Sequence, residues 1–305
     1  MSAAASAAGD AFAVASAVCF AISNITIARG ARPGAEDNGA FVSLLLTTAI
    51  AGAGWLLAGA VRGFEPVTTR AILWFAGAGV FTAFVGRVFF YASVQHLGAM
   101  RSSTMKRLNP FFAVLLGVLV LGERLTPAMA TGMLLIVASF VVLVGASGAP
   151  SGGPMGAGRR LINIGYLYGP VSALGYATGY LLRKMGLADA PDAMLGAATG
   201  CLVGALLYLA AAAFSDDYAR AVRLTFSEPN AWLIAAGVMG SFGQILYFAA
   251  LSENPMSRVA LITSMEVFLT LFLGAVFLRR RETLTPALLL AATLGIMGTA
   301  AIVAF

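Results

Sequence analysis

The sequence predicts an all-α integral membrane protein with ten transmembrane helices, arranged as two inverted five-helix repeats around a central cavity. Hydrophobic residues make up 60% of its 305 residues and charged residues only 10%, whereas soluble domains carry about 25% charged residues. The apolar runs are continuous and do not alternate as the strands of a membrane barrel do, which favours helices. The two halves of the chain also share sequence patterns, which predicts an internal repeat.

Each apolar run is close to the roughly 20 residues that a helix needs to cross the hydrocarbon layer. In chain order the predicted spans are 11–28, 39–61, 71–94, 99–121, 127–145, 162–182, 192–214, 231–251, 255–278 and 286–305. The segment 147–158 is dominated by Gly and Ser, so it is typical of a flexible linker. The predicted units are therefore residues 1–146, the linker 147–161, and residues 162–305.

The repeat is clearest around the fourth and fifth spans of each unit. Residues 111–121 (FFAVLLGVLVL) return as 268–278 (FLTLFLGAVFL), and 123–127 (ERLTP) returns as 282–286 (ETLTP). A constant offset aligns Arg87 with Gln244 and Asn109 with Glu266. Five spans is an odd number, so the second unit must enter the membrane from the opposite side. Inverted repeats of this kind are typical of carriers for small solutes.

The turn before the last span of each unit has a local structural explanation. Thr126 and Thr285 can cap the following helix with a hydroxyl oxygen. Pro127 and Pro286 then take the first helical position, where the missing N–H costs no hydrogen bond. We therefore interpret these residues as structural.

Two five-span units, each ending in an LGE-x-LTP-like turn and a Gly-rich last helix, resemble the EamA branch of the drug/metabolite transporter superfamily. The resemblance covers nearly the whole chain, although residues 279–281 (RRR) depart from the pattern in the second copy. It implies a transporter rather than an enzyme, a bacterial inner (plasma) membrane location, and both termini in the cytoplasm. The size and span number are similar to those of the exporter group for aromatic amino acids and methionine. Loop Lys and Arg counts favour the reverse orientation, and this alternative stays open.

Polar side chains inside the predicted spans are the candidate solute-binding residues, since such groups are costly in a bilayer unless they face a cavity or a partner. With about 100° per residue, they form stripes on spans three, four, eight and nine, and we expect these stripes to line a central cavity with spans one and six. The candidates are Asn24, Arg87, Tyr91, Lys106, Asn109, Tyr176, Tyr180, Gln244, Thr263 and Glu266.

Each ionisable candidate has a functional and a structural interpretation. Glu266 can bind a solute amine or a coupling proton, or it can form a buried ion pair with Arg87 or Lys106. Lys106 and Arg87 can hold a carboxylate or another anion, or they can pair with Glu266 or extend to the interface. Pro110 predicts a kink in span four. The kink either frees a backbone carbonyl to bind a solute ammonium or hydroxyl group, or it serves only helix packing. Span nine has Val267 there, so no kink is predicted.

The function predicted is a secondary transporter that moves a small polar or amphipathic metabolite by alternating access. An amino acid, exported with possible proton coupling, is the preferred solute because Glu266 adds a negative charge to the basic residues. The alternatives are a carrier of anionic or phosphorylated metabolites or of drugs, and a non-transporting receptor or scaffold. We expect no metal, cofactor or nucleic acid, because no metal-ligand cluster, phosphate-binding loop or basic cluster is present in the sequence. We expect a monomer, with Gly196, Gly200 and Gly204 as an alternative dimer face.

Overall fold

The computed structural model of the protein describes residues 6–30, 39–64, 66–86, 88–90, 108–146, 165–277 and 286–304. The described chain is helical apart from turns and short connections, which confirms the all-α prediction. The elements are α1 (Ala7–Gly30), α2 (Ala40–Arg62), α3 (Thr69–Gly79) with a π-helical continuation (Val80–Gly86), α4 (Asn109–Leu121), α5 (Pro127–Ala146), α6 (Gly165–Asp189), α7 (Ala193–Ala212), α8 (Asp216–Ser227), α9 (Ala231–Glu253), α10 (Met256–Thr263), α11 (Glu266–Phe277) and α12 (Pro286–Ala304).

Several of these helices have the length and surface of membrane spans. Six described stretches are long and apolar enough to cross a bilayer: Ala7–Gly30, Ala40–Arg62, Thr69–Phe90, Ala193–Ala212, Ala231–Glu253 and Met256–Gly274. Large apolar side chains face outward along them; Leu57, for example, is 68% exposed and Leu73 is 65% exposed. Such surfaces are unfavourable in water and favourable in lipid, so the chain is a multi-pass membrane protein.

The helices pack in a regular pattern. α1 lies along α9, the α3 and π-helical segment lies along α6, and α5 lies along α12. α2 contacts α7 and α9, while α4 contacts α6 and α10, and α11 contacts α1. Small residues allow the closest approaches: a Cβ on Gly79 would lie 2.3 Å from the carbonyl oxygen of Gly200, and one on Gly132 would lie 2.7 Å from that of Gly298.

The predicted ninth span is interrupted by a turn, although its Val267 requires no kink. α10 ends at Thr263 and α11 begins at Glu266. Between them the chain tightens into a turn in which the Ser264 N–H bonds the carbonyls of both Ala260 and Leu261, and the Ser264 hydroxyl also donates to Leu261. A serine side chain that competes for a backbone carbonyl weakens the helical hydrogen-bond ladder. The break therefore needs no proline.

The fourth span is described only from residue 108. Here α4 begins at Asn109, and Pro110 lies in its first turn, where an N–H is not needed for the helix. Asn109 and Glu266, the aligned positions of the two units, are thus both the first residue of a helix. Gly117 lies on the same face of α4 as Asn109. This part of the face packs against protein and does not line the cavity, because a Cβ on Gly117 would meet Glu123 and Ser257.

Two other expectations can be compared directly. The Thr126 hydroxyl accepts from the Met129 N–H at 3.2 Å and Pro127 begins α5, which confirms the predicted cap. Residues 215–230, which we expected to be a connection, contain α8. Hydropathy alone missed it because it is amphipathic: Tyr218, Ala221 and Val222 pack on a cluster around Phe41 and Tyr208 while its basic residues are exposed.

The glycine ladder of α7 faces the protein's own helices. A Cβ on Gly196 would collide with Phe248 and Phe75, and one on Gly204 with Ala83 and Leu44. Gly200 lies against the backbone of α3. Intramolecular packing therefore uses this face, so it is not free to serve as the alternative dimer face.

Candidate functional site

Contacts between helix termini define two ends of the bundle. At the first, which we call the Asp10 end, the start of α1 meets the α9–α10 junction and the last turn of α12 through Asp10, Arg258 and Val303. At the second, the Arg29 end, the Arg29 guanidinium at the end of α1 donates to the carbonyl of Phe277 at 2.7 Å. It also stacks 5.0 Å from the Trp232 ring at the start of α9.

A cavity of about 300 Å³ lies between these ends. This volume is at the lower limit of small-molecule sites, which span about 300–1,000 Å³. Its walls come from seven described segments, namely α1, α2, the α3 and π-helical segment, α6, α7, α9 and α11. The lining residues are Phe20, Ser23, Asn24, Ser43, Leu44, Thr47, Gly79, Thr82, Ala83, Tyr176, Tyr180, Arg183, Gly200, Cys201, Gly240, Gln244, Phe248 and Glu266.

Glu266 provides the acidic side of the cavity. Its carboxylate lies in the first turn of α11, where the helix dipole stabilises negative charge. The Asn24 amide donates to Glu266 Oε1 at 2.7 Å and to Thr270 Oγ1 at 3.3 Å. The carboxylate lies directly after the break in the ninth span, and interrupted helices with their termini at the ligand are typical of carrier sites.

Arg183 provides the basic side of the cavity. Its side chain projects from α6 and the residue is only 6% exposed. The guanidinium stacks on the rings of Tyr180 and Phe248 at 5.2 and 5.0 Å. With the Gln244 amide oriented so that its oxygen faces Arg183, that oxygen accepts from Nη1 at 3.1 Å and from Nη2 at 2.9 Å. Arg Nη2 also lies 3.4 Å from Thr82 Oγ1.

Aromatic rings separate the cavity from the Asp10 end. The Tyr180 and Tyr247 rings lie 4.9 Å apart, and the Asn109 amide donates to the Tyr180 hydroxyl at 3.1 Å. Within the described part of the chain, the Asn109 Oδ1 and Tyr247 hydroxyl atoms are buried without a hydrogen-bond partner. This layer is therefore packed but incompletely satisfied, which costs free energy for each buried polar atom left unbonded.

The Asp10 end itself is closed by buried polar contacts. Asp10 forms a bidentate pair with Arg258 at 2.7 and 2.8 Å, and the Asn254 amide donates to the same carboxylate. The Glu123 carboxylate caps α10 by accepting from the N–H groups of Met256 at 2.6 Å and Ser257 at 2.9 Å. These contacts join the start of α1 and the end of α4 to the same helix.

A further contact at the Asp10 end comes from Lys184, which donates to the carbonyls of Leu251 and Asn254 at 2.5 and 2.9 Å. Together with the clasp around Asp10, it ties α6 to the α9–α10 junction. We call the set Asp10, Asn254 and Arg258 the Asp10 clasp.

The structure brings many of the predicted site residues together on the cavity wall, although it does not show that they bind a solute. Those on the wall are Asn24, Tyr176, Tyr180, Gln244 and Glu266. Asn109 lies behind Tyr180, and the Thr263 hydroxyl bonds the Val259 carbonyl of its own helix away from the cavity. The predictions for Arg87, Tyr91 and Lys106 fall outside the described residues.

Arg183 and the parts of α2 and α7 that line the cavity were not predicted from the sequence. The apolar run of the sixth span ends at Leu182, whereas α6 continues to Asp189. A usable signal was present, because Tyr176, Tyr180 and Arg183 recur at intervals of four and three residues and so share one helical face. Ser43 and Thr47 form a similar polar pair at the start of α2.

Comparison with known proteins agrees with this architecture. A family model described as the EamA-like transporter family matches residues 7–145 and 163–304. The chain belongs to the EamA-like transporter family. This family consists of membrane transporters in the drug/metabolite superfamily, so the EamA protein described here is a multi-pass membrane transporter.

The fold of this EamA protein also occurs among solved structures. A structure titled "Crystal structure of protein" has a TM-score of 0.68 at 21% identity, and the match covers 98% of this chain and 96% of the other. At this identity the similarity concerns the fold alone. Among curated proteins no match is found.

Proposed function

We propose that the protein is a secondary transporter that moves an amino acid, aromatic or methionine-like, out of the cell by alternating access. The observation that carries the proposal is the position of Glu266, half-buried at a helix break and on the wall of a cavity sized for a small molecule. A carboxylate there can bind a solute ammonium group or a coupling proton. The rings of Phe20, Tyr176 and Phe248 give the same cavity an apolar wall for a side chain.

The proposal includes ten spans in two inverted repeats, residues 1–146 and 162–305, joined by 147–161. The family model matches in two parts that divide near this linker. The packing also supports it. The predicted repeat pairs span one with six, three with eight, and four with nine. Exchanging the members of each pair turns the α1–α9 contact into the contact between α3 and α6. The same exchange turns the α1–α11 contact into the α4–α6 contact.

Alternating access requires that one end be closed while the other admits the solute. The Asp10 clasp, the Glu123 cap and the aromatic layer lie on one side of the cavity, while Ser43 and Thr47 extend its wall towards the Arg29 end. We propose that the described state opens to the Arg29 end. With both termini in the cytoplasm of a bacterial cell, that end faces outward, and a reporter fused after residue 305 tests the orientation.

The test of transport is flux in liposomes that contain the purified protein. Labelled phenylalanine and methionine are compared with a sugar phosphate and a cationic drug, with and without a pH gradient. We expect flux of the amino acids, faster with the gradient if protons are coupled. Flux of only the sugar phosphate or the drug would replace the amino-acid assignment, and absence of both flux and binding for every solute would reject a carrier in favour of a receptor or scaffold.

A carrier of anionic metabolites is the second candidate. It is favoured by Arg183, which lines the cavity and has no carboxylate within 4.0 Å among the described residues. The sugar phosphate in the flux panel distinguishes the two candidates.

A further inference from the structure

We infer that Arg183 is the anion-binding residue of the cavity and that it holds the carboxylate of the transported solute, while Glu266 lines the same cavity as its acidic group. The inference rests on the proposed transport function and deepens it. The solute must then carry a free carboxylate to be recognised. The residue that recognises it, Arg183, lies outside the spans that hydropathy predicts.

Arg183 is a buried positive charge with neutral neighbours. Arg183 is 6% exposed, yet its described contacts are all with neutral groups: the Gln244 amide, the Thr82 hydroxyl and three aromatic rings. The protein's other buried arginine, within the described residues, has a bidentate carboxylate partner in Asp10. A buried guanidinium is costly unless a negative charge compensates it, so Arg183 creates a strong local preference for an anion.

The neighbours of Arg183 also hold its side chain in place. With its oxygen facing Arg183, Gln244 accepts from both terminal nitrogens, and the rings of Tyr180, Tyr247 and Phe248 pack around the guanidinium. The side chain is therefore oriented before a solute arrives, and the N–H groups that Gln244 does not use can donate charge-assisted hydrogen bonds to a carboxylate. Arg183 and Gln244 both line the cavity, so a solute in it can reach this group.

Glu266 and Arg183 are held by different neighbours. Glu266 is held by Asn24 on α1, whereas Arg183 is held by Gln244 on α9 and Thr82 on the π-helical segment. Among the described residues the two are not joined by a salt bridge. Two separated and opposite charges on one cavity wall match a solute that carries both an ammonium and a carboxylate group, and they disfavour solutes that carry only one.

The experiment measures competition against labelled phenylalanine in liposomes containing the full-length protein. The competitors are phenylalanine, its methyl ester, 3-phenylpropionate and glucose 6-phosphate. For the unmodified protein we expect the ester, which lacks the free carboxylate, to compete roughly ten- to hundredfold more weakly than phenylalanine, as the loss of one charged hydrogen-bonded contact implies. In Arg183→Gln we expect phenylalanine and its ester to compete equally, and Arg183→Lys to keep part of the preference.

Arg70→Gln is the matched control, because Arg70 is a surface arginine whose side chain is 71% exposed and pairs with Asp189. It should keep the full preference for the free acid. Retention of ester binding and the elution profile of the detergent-solubilised variant show whether Arg183→Gln is folded. A structural arginine would lower stability without changing the ratio of acid to ester.

The outcomes separate the two proposals. Equal competition by phenylalanine and its ester in the unmodified protein, or an unchanged preference in Arg183→Gln, overturns the role of Arg183 while leaving transport intact. If labelled phenylalanine does not move but labelled glucose 6-phosphate does, and Arg183→Gln stops it, the amino-acid assignment fails and the anion-binding role stands with phosphate as the anion. If nothing binds or moves, both fail.

Discussion

At the scale of single residues, Glu266 and Asn109 show how one repeated position can carry different chemistry. Both begin a helix, and each contacts the first helix of a unit: Glu266 receives a hydrogen bond from Asn24, and Asn109 donates one to Tyr180. Only one of the two carries a charge. The two positions that the predicted repeat aligns therefore differ in charge, and an asymmetric site of this kind suits an asymmetric solute.

Replacing Glu266 by Gln tests the role of this charge. Gln keeps the size of the side chain and an oxygen that can accept from Asn24, so the helix contact should survive. Binding of a solute ammonium group should weaken roughly ten- to hundredfold, because a charged hydrogen bond becomes a neutral one. The measurement is phenylalanine flux in liposomes together with thermal unfolding.

Glu253→Gln is the control for this substitution, since Glu253 is an exposed carboxylate at the end of α9. It should leave flux unchanged. A scaffold role for Glu266 predicts the opposite pattern. The unfolding temperature of Glu266→Gln would then fall, and Glu266→Gln and Glu253→Gln would not differ in solute binding.

At the scale of helices, the interruption of the ninth span and the start of α4 were the features hardest to predict. Hydropathy reports how apolar a segment is, and both sides of Ser264 are apolar, so hydropathy does not indicate the break. The turn depends on backbone and side-chain hydrogen bonds at Ser264 that compete with the helix. Arg183 was missed for a related reason, because a charged residue ends an apolar run even where the helix continues.

The contacts made by repeated motifs were partly predictable. The Thr126 cap follows from local sequence, because the hydroxyl and the N–H it binds are three residues apart. The role of Glu123 does not, since its partners Met256 and Ser257 are more than 130 residues away in the sequence. The Thr126 cap on α5 could therefore be predicted from neighbouring residues, whereas the Glu123 cap on α10 could be found only in the structure.

The Glu123 cap gives a prediction about stability. In Glu123→Ala the buried N–H groups of Met256 and Ser257 lose their acceptor, so we expect unfolding free energy to fall by about 0.5–2 kcal/mol, the usual cost of losing a helix cap. Glu123→Gln keeps one acceptor oxygen, so its unfolding free energy should fall by less. Thermal unfolding in detergent measures the effect, and Arg124→Ala, at the exposed neighbouring position, should show none. Equal midpoints for Glu123→Ala and Arg124→Ala would contradict the cap.

The contact between α3 and α7 gives a second prediction at this scale. A methyl group on Gly79 would lie 2.3 Å from the Gly200 carbonyl oxygen, and backbone cannot move aside as a flexible side chain can. Gly79→Ala should therefore separate two cavity walls and destabilise the protein by about 1–3 kcal/mol, as overpacking does. Gly52→Ala is the matched control, because its methyl group would meet only Ala198 at 4.0 Å. It should be neutral or slightly stabilising, and thermal unfolding of both variants decides the comparison.

At the scale of the whole molecule, the ion pair at one end of the bundle and the arginine contact at the other differ in burial. The contacts described at the Asp10 end are mostly buried: the Asp10–Arg258 side chains are 8% and 7% exposed. At the Arg29 end, the contact from Arg29 to the Phe277 carbonyl is exposed. Buried ion pairs are stable while both partners remain and costly when one is lost. A buried ion pair therefore favours an end of the bundle that is either fully closed or fully open, as alternating access requires.

Asp10→Asn tests this closure. It leaves Arg258 buried without its charge partner, which typically costs about 3–5 kcal/mol, and opening the Asp10 end to water relieves that cost. We therefore expect faster hydrogen–deuterium exchange in peptides from α10 and the start of α1, with exchange in residues 40–51 of α2 unchanged. Asp189→Asn is the control, because its pair with Arg70 lies at the same end but the Arg70 side chain is 71% exposed, and pairs with an exposed partner contribute about 0–1 kcal/mol. Faster exchange at both ends would indicate general unfolding rather than opening, and unchanged exchange would mean that the clasp does not hold this end closed.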